Sequence, residues 1–410
     1  MPEFLTLKPP GEALAILNHN LEFNPQSENI RTEDSLGRVL FSSVRAEIPI
    51  PGFRRSTVDG FAVRAGDTYG ASESLPAYLP LVGEVPMGAA PDFVLEAGTC
   101  AVIHTGGMLP QGADAVMMIE YTQQASEKEV ELLRAVAVGE NVLEIGEDVQ
   151  QGEQVIPAGT LIRPAEIGGL MALGITEVEV ARKPLVGILS SGDEVIHPSE
   201  DLSPGKVRDI NSYTLQALVR QAGGLPQLFG VAPDTHRDLA ELFAKAHQTC
   251  DLVVVTAGSS ASVRDLTAIV IDELGEPGVL VHGVNVRPGK PTILGVCDGK
   301  PVIGLPGNPV SALVIAGLFV TPTIKRMLGR QERQDIPVIE AVLAVNLSSQ
   351  SGREEWVAVS LEGGEDGLVA SPVFGKSNLI FTLVRGEGLV HIPADATGLA
   401  AGSRVKVYLI

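Results

Sequence analysis

The chain has 410 residues, with 50 acidic and 30 basic side chains and a formal net charge of −20. This charge disfavours nucleic acid as a partner, because phosphate backbones bind basic surfaces. An aromatic content of 4% also leaves few side chains for base stacking. A hydrophobic content of 45% is ample for buried cores and argues against disorder as the main state. At about 150 residues per domain, the length predicts two to four domains.

The cysteines and the apolar segments predict the cellular compartment. Cys100, Cys250 and Cys297 are far apart, which disfavours a disulfide framework or a cysteine zinc site. The first ten residues do not have the pattern of a signal peptide. The longest apolar stretch, residues 310–320, is shorter than the roughly 20 residues that a membrane span requires. We therefore expect a cytoplasmic protein without a membrane partner.

The first half of the chain changes character twice. Residues 10–45 are expected to be helical, with a second helix over residues 32–39. Short alternating runs separated by Pro and Gly follow from residue 48 to about 142 and predict a β-rich module. Residues 147–182 continue with strands and one helix near residues 165–173.

Strand-like and helical runs alternate from residue 184 to 326, which predicts a doubly wound parallel sheet with helices on both faces. The predicted strands are 185–189, 225–231, 252–255 and 302–305, and the predicted helices are 212–221, 234–246, 266–274 and one that starts at Pro309. Short strands return from residue 336 to the end and predict a small all-β module.

Three loops follow strands of the predicted sheet, at residues 189–194, 256–265 and 305–311. Ligands collect at the carboxyl ends of parallel strands, and small residues let backbone N–H groups approach them. Asn308 is expected to cap the following helix and Pro309 to occupy its first turn, which would make an anion site. Each loop alone is equally consistent with an ordinary turn, but three at one edge favour a phosphate-type ligand.

Charged residues in stiff or Gly-rich loops are the second signal. Arg287 and Lys290 flank a Pro-Gly turn and could clamp an oxyanion, although a solvated surface turn has the same pattern. Carboxylates in Gly-rich or strand-following loops could hold Mg²⁺ against phosphate oxygens, or could serve as loop caps. These candidates are Asp59, Asp148, Glu194 and Asp265. The sequence offers no HExxH motif, no convincing Ser-His-Asp set and no Walker-type loop.

These motifs together resemble the molybdopterin molybdenumtransferase family, which includes the E domain of gephyrin. The matching segments are 50–64, 104–116, 146–148, 191–194, 209–212, 287–291 and 304–312. They include Ser191-Gly192-Asp193-Glu194 and Pro306-Gly307-Asn308-Pro309, occur in the family's order and cover about residues 5–390. The combination is specific, whereas no single segment is.

The resemblance implies an elongated homodimer of four-domain chains. A split N-terminal linker and dimerisation domain would use residues 1–45 and 147–182, and a β-rich insert would use 46–146. A molybdopterin-binding α/β domain would span 183–328, and a β-barrel 329–410. The implied site is shared between subunits, so Asp59, Thr105 and Asp148 would face residues 190–311 of the partner subunit.

The resemblance also implies a reaction, in which molybdate is inserted into adenylylated molybdopterin with Mg²⁺ and AMP is released. The implied catalytic residues are Asp59, Thr105, Asp148, Glu194 and Asp265, of which Asp59, Glu194 and Asp265 would hold the metal. The implied substrate-binding residues are Ser191, Gly192, Asp209, Gly258, Ser259, Ser260, Arg287, Lys290, Pro306, Gly307, Asn308, Pro309, Ser311, Arg353 and Ser377. Transient contacts with the adenylylating enzyme and with client molybdoenzymes are also expected.

Several positions depart from the family pattern. Ala257 and Ser262 stand where the family usually has glycine, so the 256–265 loop would be strained if either position needs a positive φ. Leu143 and Ala358 stand where the family often has arginine, and Arg287 replaces a common lysine. These changes leave the acidic set intact.

Two alternative functions remain open. The altered 256–265 loop is compatible with a molybdopterin adenylyltransferase or a nucleotide pyrophosphatase on the same fold. A non-catalytic scaffold of the gephyrin type is the other alternative. That role accompanies a fused extra domain and a long linker, which this sequence does not include.

Overall fold

A computed structural model of the chain describes residues 6–257, 261–330, 337–364 and 367–410, and the side chains within these ranges except those of residues 261–265. The helices of this part are α1 Pro10–His19, α2 Pro164–Ala172, α3 Asn211–Ala222, α4 His236–Thr249, α5 Ala261–Leu274, α6 Pro309–Ile315, α7 Thr321–Met327 and α8 Phe381–Val384. A π-helical turn, Ala316–Val320, joins α6 to α7, and short 3₁₀ turns lie at Thr32–Asp34, Ala65–Thr68 and Ile119–Tyr121.

The strands fall into three regions of the chain. The first region contains β1 Ser27–Arg31, β2 Val44–Arg45, β3 Arg55–Ser56, β4 Gly60–Val63, β5 Ala77–Glu84, β6 Cys100–Ile103, β7 Ala115–Met118, β8 Thr122–Ser126, β9 Glu129–Leu132, β10 Val142–Leu143, β11 Gln154–Ile156 and β12 Glu177–Ala181. The second contains β13 Leu185–Ser191, β14 Val195–Ile196, β15 Val207–Arg208, β16 Leu225–Ala232, β17 Leu252–Ala257, β18 Pro277–His282, β19 Val286–Arg287, β20 Ile293–Cys297 and β21 Lys300–Pro306. The third contains β22 Val338–Leu343, β23 Leu347–Ser348, β24 Glu354–Gly364, β25 Gly367–Pro372, β26 Gly388–Ile392, β27 Gly398–Leu399 and β28 Arg404–Leu409.

The N-terminal segment pairs with a segment far along the chain. Strand β1 pairs antiparallel with β12, and β2 pairs with β11. The helix predicted over residues 32–39 is wrong, because only the turn at Thr32–Asp34 is helical. The Thr32 hydroxyl donates to the carbonyl of Ile175 at 2.8 Å, so a long-range contact fixes this turn and the chain leaves it in an extended conformation.

Between these pairs lies a curled half-barrel with the strand order β7-β4-β6-β5-β9-β8. Two apolar clusters of buried side chains fill it. Strand β4 runs close to β7, since a Cβ atom on Gly60 would lie 1.9 Å from the carbonyl oxygen of Met117. This close approach fixes the start of β4, which Asp59 immediately precedes.

The central sheet has the order β16-β13-β17-β21-β20-β18, with its first four strands parallel. The predicted doubly wound sheet is confirmed, and its other edge is an antiparallel addition of β20 and β18. A two-residue hairpin, Asp298-Gly299, joins β20 to β21, and both residues have positive φ angles, 48° and 80°. An Asp-Gly pair between apolar runs is a typical hairpin signal, but this antiparallel edge was not predicted from the sequence.

Helices cover both faces of the central sheet. On one face α3, α6 and α7 pack with α1, whose segment is held to the sheet by the amide of Lys8 donating to Gly283. On the other face α4 and α5 bury Phe243 and its apolar neighbours. The helical run Pro309–Met327 is long and apolar enough to cross a bilayer, but 56% of its most apolar window is buried inside the protein. It packs on β21 and α3 as an interior helix.

The last region is a closed five-stranded barrel, in which β24-β25-β22-β28-β26 are neighbours and β26 pairs back to β24. Strand β19 of the preceding region also pairs with β24, at Val286↔Glu354 and Arg287↔Glu355. The barrel is therefore joined to the segment that carries Arg287, and a cleft forms between barrel and sheet.

Candidate functional site

Two neighbouring cavities open at the carboxyl edge of the central sheet. The first has a volume of about 330 Å³ and lies over the ends of β13 and β17. The second, about 860 Å³, lies between the sheet and the barrel. Gly307 and Asn308 line both cavities, so the 305–311 loop separates them. Cavities of this size and position are typical of small-molecule sites in open α/β sheets.

Buried hydroxyl groups form the floor of the first cavity. The Ser190 hydroxyl lies 3.1 Å from that of Ser212 and 2.8 Å from that of Thr256. The neighbouring Ser191 hydroxyl is buried, lines the same cavity and faces the Asp234 carboxylate, whose pKa it lowers.

The predicted residues Gly192, Glu194 and Asp209 also lie here. Glu194 and Asp209 line the first cavity, and Gly192 brings the chain close to Glu194, since a Cβ atom on it would lie 3.0 Å from the Glu194 Oε2. Asp209 has a structural task as well, because its Oδ1 accepts the amide N–H of Ser212 at the start of α3. Glu194 is thus the exposed carboxylate of this cavity.

Two residues of this region were missed by the sequence analysis. The Nδ2 of Asn211 donates to the carbonyl of Gly307 at 2.8 Å, while its buried Oδ1 has no partner in the described part of the chain. Asp234 follows β16, and its pKa is raised by burial and further by the carboxylates of Asp193 and Glu194. The position of Asp234 after a fourth parallel strand was the signal that could have identified it.

The second cavity carries the predicted oxyanion clamp, but its two cations differ. Arg287 lies 3.4 Å from Glu355, an ion pair that partly neutralises it. Lys290 is exposed, lines the cavity and forms no salt bridge among the described residues. Gly289 between them has a φ of 121°, and a Cβ atom there would overlap Ile315, so only glycine fits this turn. Lys376, missed from the sequence, also lines the cavity.

The loop after β21 is arranged differently from the prediction. The side chain of Asn308 does not cap α6, because its Nδ2 donates to the Ser377 hydroxyl at 3.1 Å. The amide of Val310 donates to the Ser377 carbonyl at 3.0 Å. Pro306, Ser311 and Ser377 all line the second cavity, and Pro309 lines the first. The loop is therefore tied to the barrel.

Five other positions have plain structural outcomes. Arg353 lies just before β24 and lines neither cavity. Ala358, where an arginine was expected, is buried among Val310, Val314 and Leu383. Ala257 ends β17 in an extended pair with Pro306, so alanine causes no strain there. Ser262 lies in the first turn of α5, and Leu143 pairs with Arg55.

Asp59, Thr105 and Asp148 lie on the half-barrel and its return segment, and none of them lines either cavity. The Asp59 Oδ1 accepts the amide of Thr105 at 2.8 Å and its hydroxyl at 3.2 Å. These hydrogen bonds lower the pKa of Asp59, and the bond from the Thr105 amide has the largest effect. The nearby His104 ring lowers this pKa further. The Asp148 amide donates to the carbonyl of Ile50. A single chain does not assemble these residues with Glu194 in one cavity.

The predicted metal site is also incomplete in one chain. Among the side chains that the structure describes, no three His, Cys, Asp or Glu residues are grouped as metal ligands. Gly258, Ser259 and Ser260 lie outside the described residues, and so does the side chain of Asp265. Mg²⁺ often binds through only one or two carboxylates together with substrate phosphates. An exposed Glu194 beside a polar cavity fits such a site.

Family models cover most of the chain. Residues 8–174 match the "MoeA N-terminal region (domain I and II)", residues 187–326 the "Probable molybdopterin binding domain", and residues 340–410 the "MoeA C-terminal region (domain IV)". A molybdopterin molybdenumtransferase of Bacillus subtilis is 33% identical over 100% of this chain and 96% of its own length. The chain belongs to the molybdopterin molybdenumtransferase family.

Other members of the molybdopterin molybdenumtransferase family agree with this assignment. The Nostoc enzyme of that name is 34% identical over 90% of this chain and 86% of its own length. A crystal structure of a molybdopterin biosynthesis moeA protein from Pyrococcus horikoshii has a TM-score of 0.87 and 33% identity, and covers 99% of this chain and 100% of that chain. The resemblance and the fold class predicted from the sequence are thereby confirmed.

Proposed function

We propose that this protein acts in molybdenum cofactor biosynthesis, as a molybdopterin molybdenumtransferase that inserts molybdate into adenylylated molybdopterin and releases AMP. Family membership over nearly the whole chain supports this activity. The observation that carries the proposal is the 860 Å³ cavity, where Lys290 stands unpaired among the described residues beside the Ser311 and Ser377 hydroxyl groups. A tetrahedral dianion requires such fixed donors and cations.

The cations are significant because the rest of the chain is so acidic. In a protein of net charge −20, Lys290, Lys376 and Arg287 converge on one cavity. Positive charge in this cavity favours binding of an oxyanion that the surrounding acidic surface would repel. We assign molybdate to this cavity and the organic part of the substrate to the adjoining 330 Å³ cavity, whose floor is rich in hydroxyl groups.

The acidic residues are assigned to the phosphoanhydride that is cleaved. Glu194 and Asp265 would hold Mg²⁺ with substrate oxygens, and the metal would neutralise charge on the phosphates. Asp59, Thr105 and Asp148 would complete the site from the partner subunit, since they do not line the cavities of their own chain. This arrangement implies a homodimer. Cleavage then depends on positioning and charge neutralisation more than on a covalent nucleophile.

The test is AMP release from adenylylated molybdopterin by the purified protein, with and without molybdate and with and without Mg²⁺. We expect release to require both ions, and Asp59→Asn to abolish it while the fold is retained. Release without molybdate would contradict the proposal in favour of a pyrophosphatase. Consumption of ATP with molybdopterin and no need for molybdate would favour an adenylyltransferase, and inactivity in every assay would favour a scaffold.

A further inference from the structure

Two carboxylates and a histidine form a row across the half-barrel, at one end of three neighbouring strands. Glu84 is the last residue of β5, His104 follows β6, and Asp59 precedes β4. The register places Gly60 opposite Ile103 and Glu84 opposite Val102, so the sheet itself aligns the three side chains. Such an alignment results from strand pairing and not from a mobile loop.

His104 stands between the two carboxylates. Its Nε2 lies 3.1 Å from the Glu84 Oε1, and its Nδ1 lies 3.6 Å from the Asp59 Oδ1. A carboxylate oxygen can only accept a hydrogen bond, so Nε2 donates to Glu84 and this bond sets the plane of the ring. The ring is thereby held with its other nitrogen directed at Asp59, and this nitrogen attracts the carboxylate when both ring nitrogens carry a proton.

The contacts of Asp59 are all on one oxygen. Its Oδ1 faces the Thr105 amide, the Thr105 hydroxyl and the His104 ring, whereas its Oδ2 has no partner within the described residues. The carboxylate is therefore held by one oxygen and presents the other to solvent. These contacts restrain Asp59 even though 59% of its side chain is exposed. An exposed carboxylate without such contacts would sample several rotamers.

We propose that His104, anchored by Glu84, is a positioning residue that orients the Asp59 carboxylate so that Oδ2 faces outward to the substrate. This inference rests on the proposed function for the role of Asp59, and on this chain's own contacts for the orientation. In this role His104 and Glu84 do not touch the reacting atoms and act only through Asp59. Residues that orient a functional carboxylate in this way commonly affect activity by roughly 10- to 100-fold.

The test compares His104→Ala, Glu84→Ala and the double variant in molybdate-dependent AMP release. We expect His104→Ala to lower kcat roughly tenfold with KM unchanged, and Glu84→Ala to cause a smaller loss. The double variant should equal His104→Ala, because Glu84 acts only through His104. Glu273→Ala is the matched control and should leave kcat unchanged. It breaks another exposed pair, in which His236 and Glu273 are 2.8 Å apart.

Crystal structures of the wild type and of His104→Ala supply a second readout that does not depend on activity. We expect the Asp59 carboxylate to rotate in the variant while the strand ends stay in place. Additive losses in the double variant, a change in KM alone, or kinetics like those of Glu273→Ala would overturn the orienting role. If the wild type releases no AMP, the proposed function fails, and the position of Asp59 in the two structures then decides: rotation supports the inference and an unmoved carboxylate overturns it.

Discussion

Arg287 and Lys290 are three residues apart on one turn, yet the fold gives them different electrostatic surroundings. Arg287 faces Glu355, whose side chain is only 14% exposed, so part of its charge is already matched. Lys290 faces the open cavity without an ion-pair partner in the described part of the chain. Of the two, Lys290 should therefore contribute more to binding an added anion.

Replacing Lys290 tests this difference. We expect Lys290→Ala to weaken molybdate binding by about 1.5–3 kcal/mol, the range for a hydrogen bond to a charged group, or roughly 10- to 100-fold in Kd. Isothermal titration calorimetry of the purified protein with molybdate measures this. Lys406→Ala removes an exposed lysine of β28 far along the chain and should leave Kd unchanged. Equal affinity in wild type and Lys290→Ala would contradict the oxyanion clamp.

Single residues also show where sequence reasoning reached its limit. The positions of Ser311 and Glu194 on the cavities were predictable, because both residues follow strands of a recognisable sheet. The bond from Asn308 to Ser377 was not, because Asn308 has the local pattern of a helix cap and its partner comes from the barrel, 69 positions away. A cap and a tertiary donor have the same local sequence, and only the packing separates them.

At the scale of elements, α2 shows how local chemistry fixes a helix start. The Glu166 carboxylate accepts the amide of Arg163 at 2.8 Å and its guanidinium at 2.6 Å. The Arg163 hydrogen bond lowers the pKa of Glu166 to about 2 against the opposing effect of burial. The folded-state pKa lies below the unfolded one, so the ionised form stabilises α2 above about pH 4.5 and loses this effect as the pH falls toward 2.

Hydrogen exchange in α2 can measure this contribution. We expect Glu166→Gln to destabilise the helix by about 1 kcal/mol at pH 7, which speeds exchange of its amides roughly fivefold. The ratio of variant to wild-type exchange should approach one as the pH falls toward 2. Glu22→Gln, an exposed change outside the helices, serves as the control. A ratio that stays constant with pH would show that the carboxylate's charge is not the cause.

Elements were predictable where periodicity is strong and local. Helices α3, α4 and α5 and the parallel strands of the central sheet were expected within a few residues of their observed positions. Strand β1 was predicted as part of a helical region. Its residues are largely exposed and polar, and its own sequence does not indicate that it pairs with β12. The conformation of β1 is determined by its long-range pairing with β12, which cannot be inferred from the local sequence of β1.

At the scale of the whole molecule, the candidate catalytic residues whose side chains the structure describes fall on two separate surfaces. Glu194 lines the first cavity, whereas Asp59, Thr105 and Asp148 are on the half-barrel and its return segment. The proposed dimer unites the two sets across subunits. Homodimers of this kind would place two equivalent sites about a twofold axis.

Subunit mixing tests the shared site. Asp59→Asn and Glu194→Gln are each expected to be inactive, but a heterodimer of the two has one intact site. Random mixing in equal amounts should recover about a quarter of wild-type AMP release. A mixture of Glu194→Gln with Lys290→Ala is the control, because both changes are on the same face and no intact site can form. Recovery no greater than the sum of the separate variants would show that the site is not shared.

The pairing of β1 with β12 also has a consequence for synthesis on the ribosome. Ser27 pairs with Ala181, so the first strand emerges about 150 residues before its partner. At roughly 5–20 residues per second, this is a wait of about 10–30 s in the nascent chain. The amide of Lys8 pairs with the carbonyl of Gly283, which is synthesised later still. The half-barrel can fold meanwhile, because all of its strands lie between residues 60 and 132. Vectorial translation thus makes the intervening module the first to mature and the amino terminus among the last.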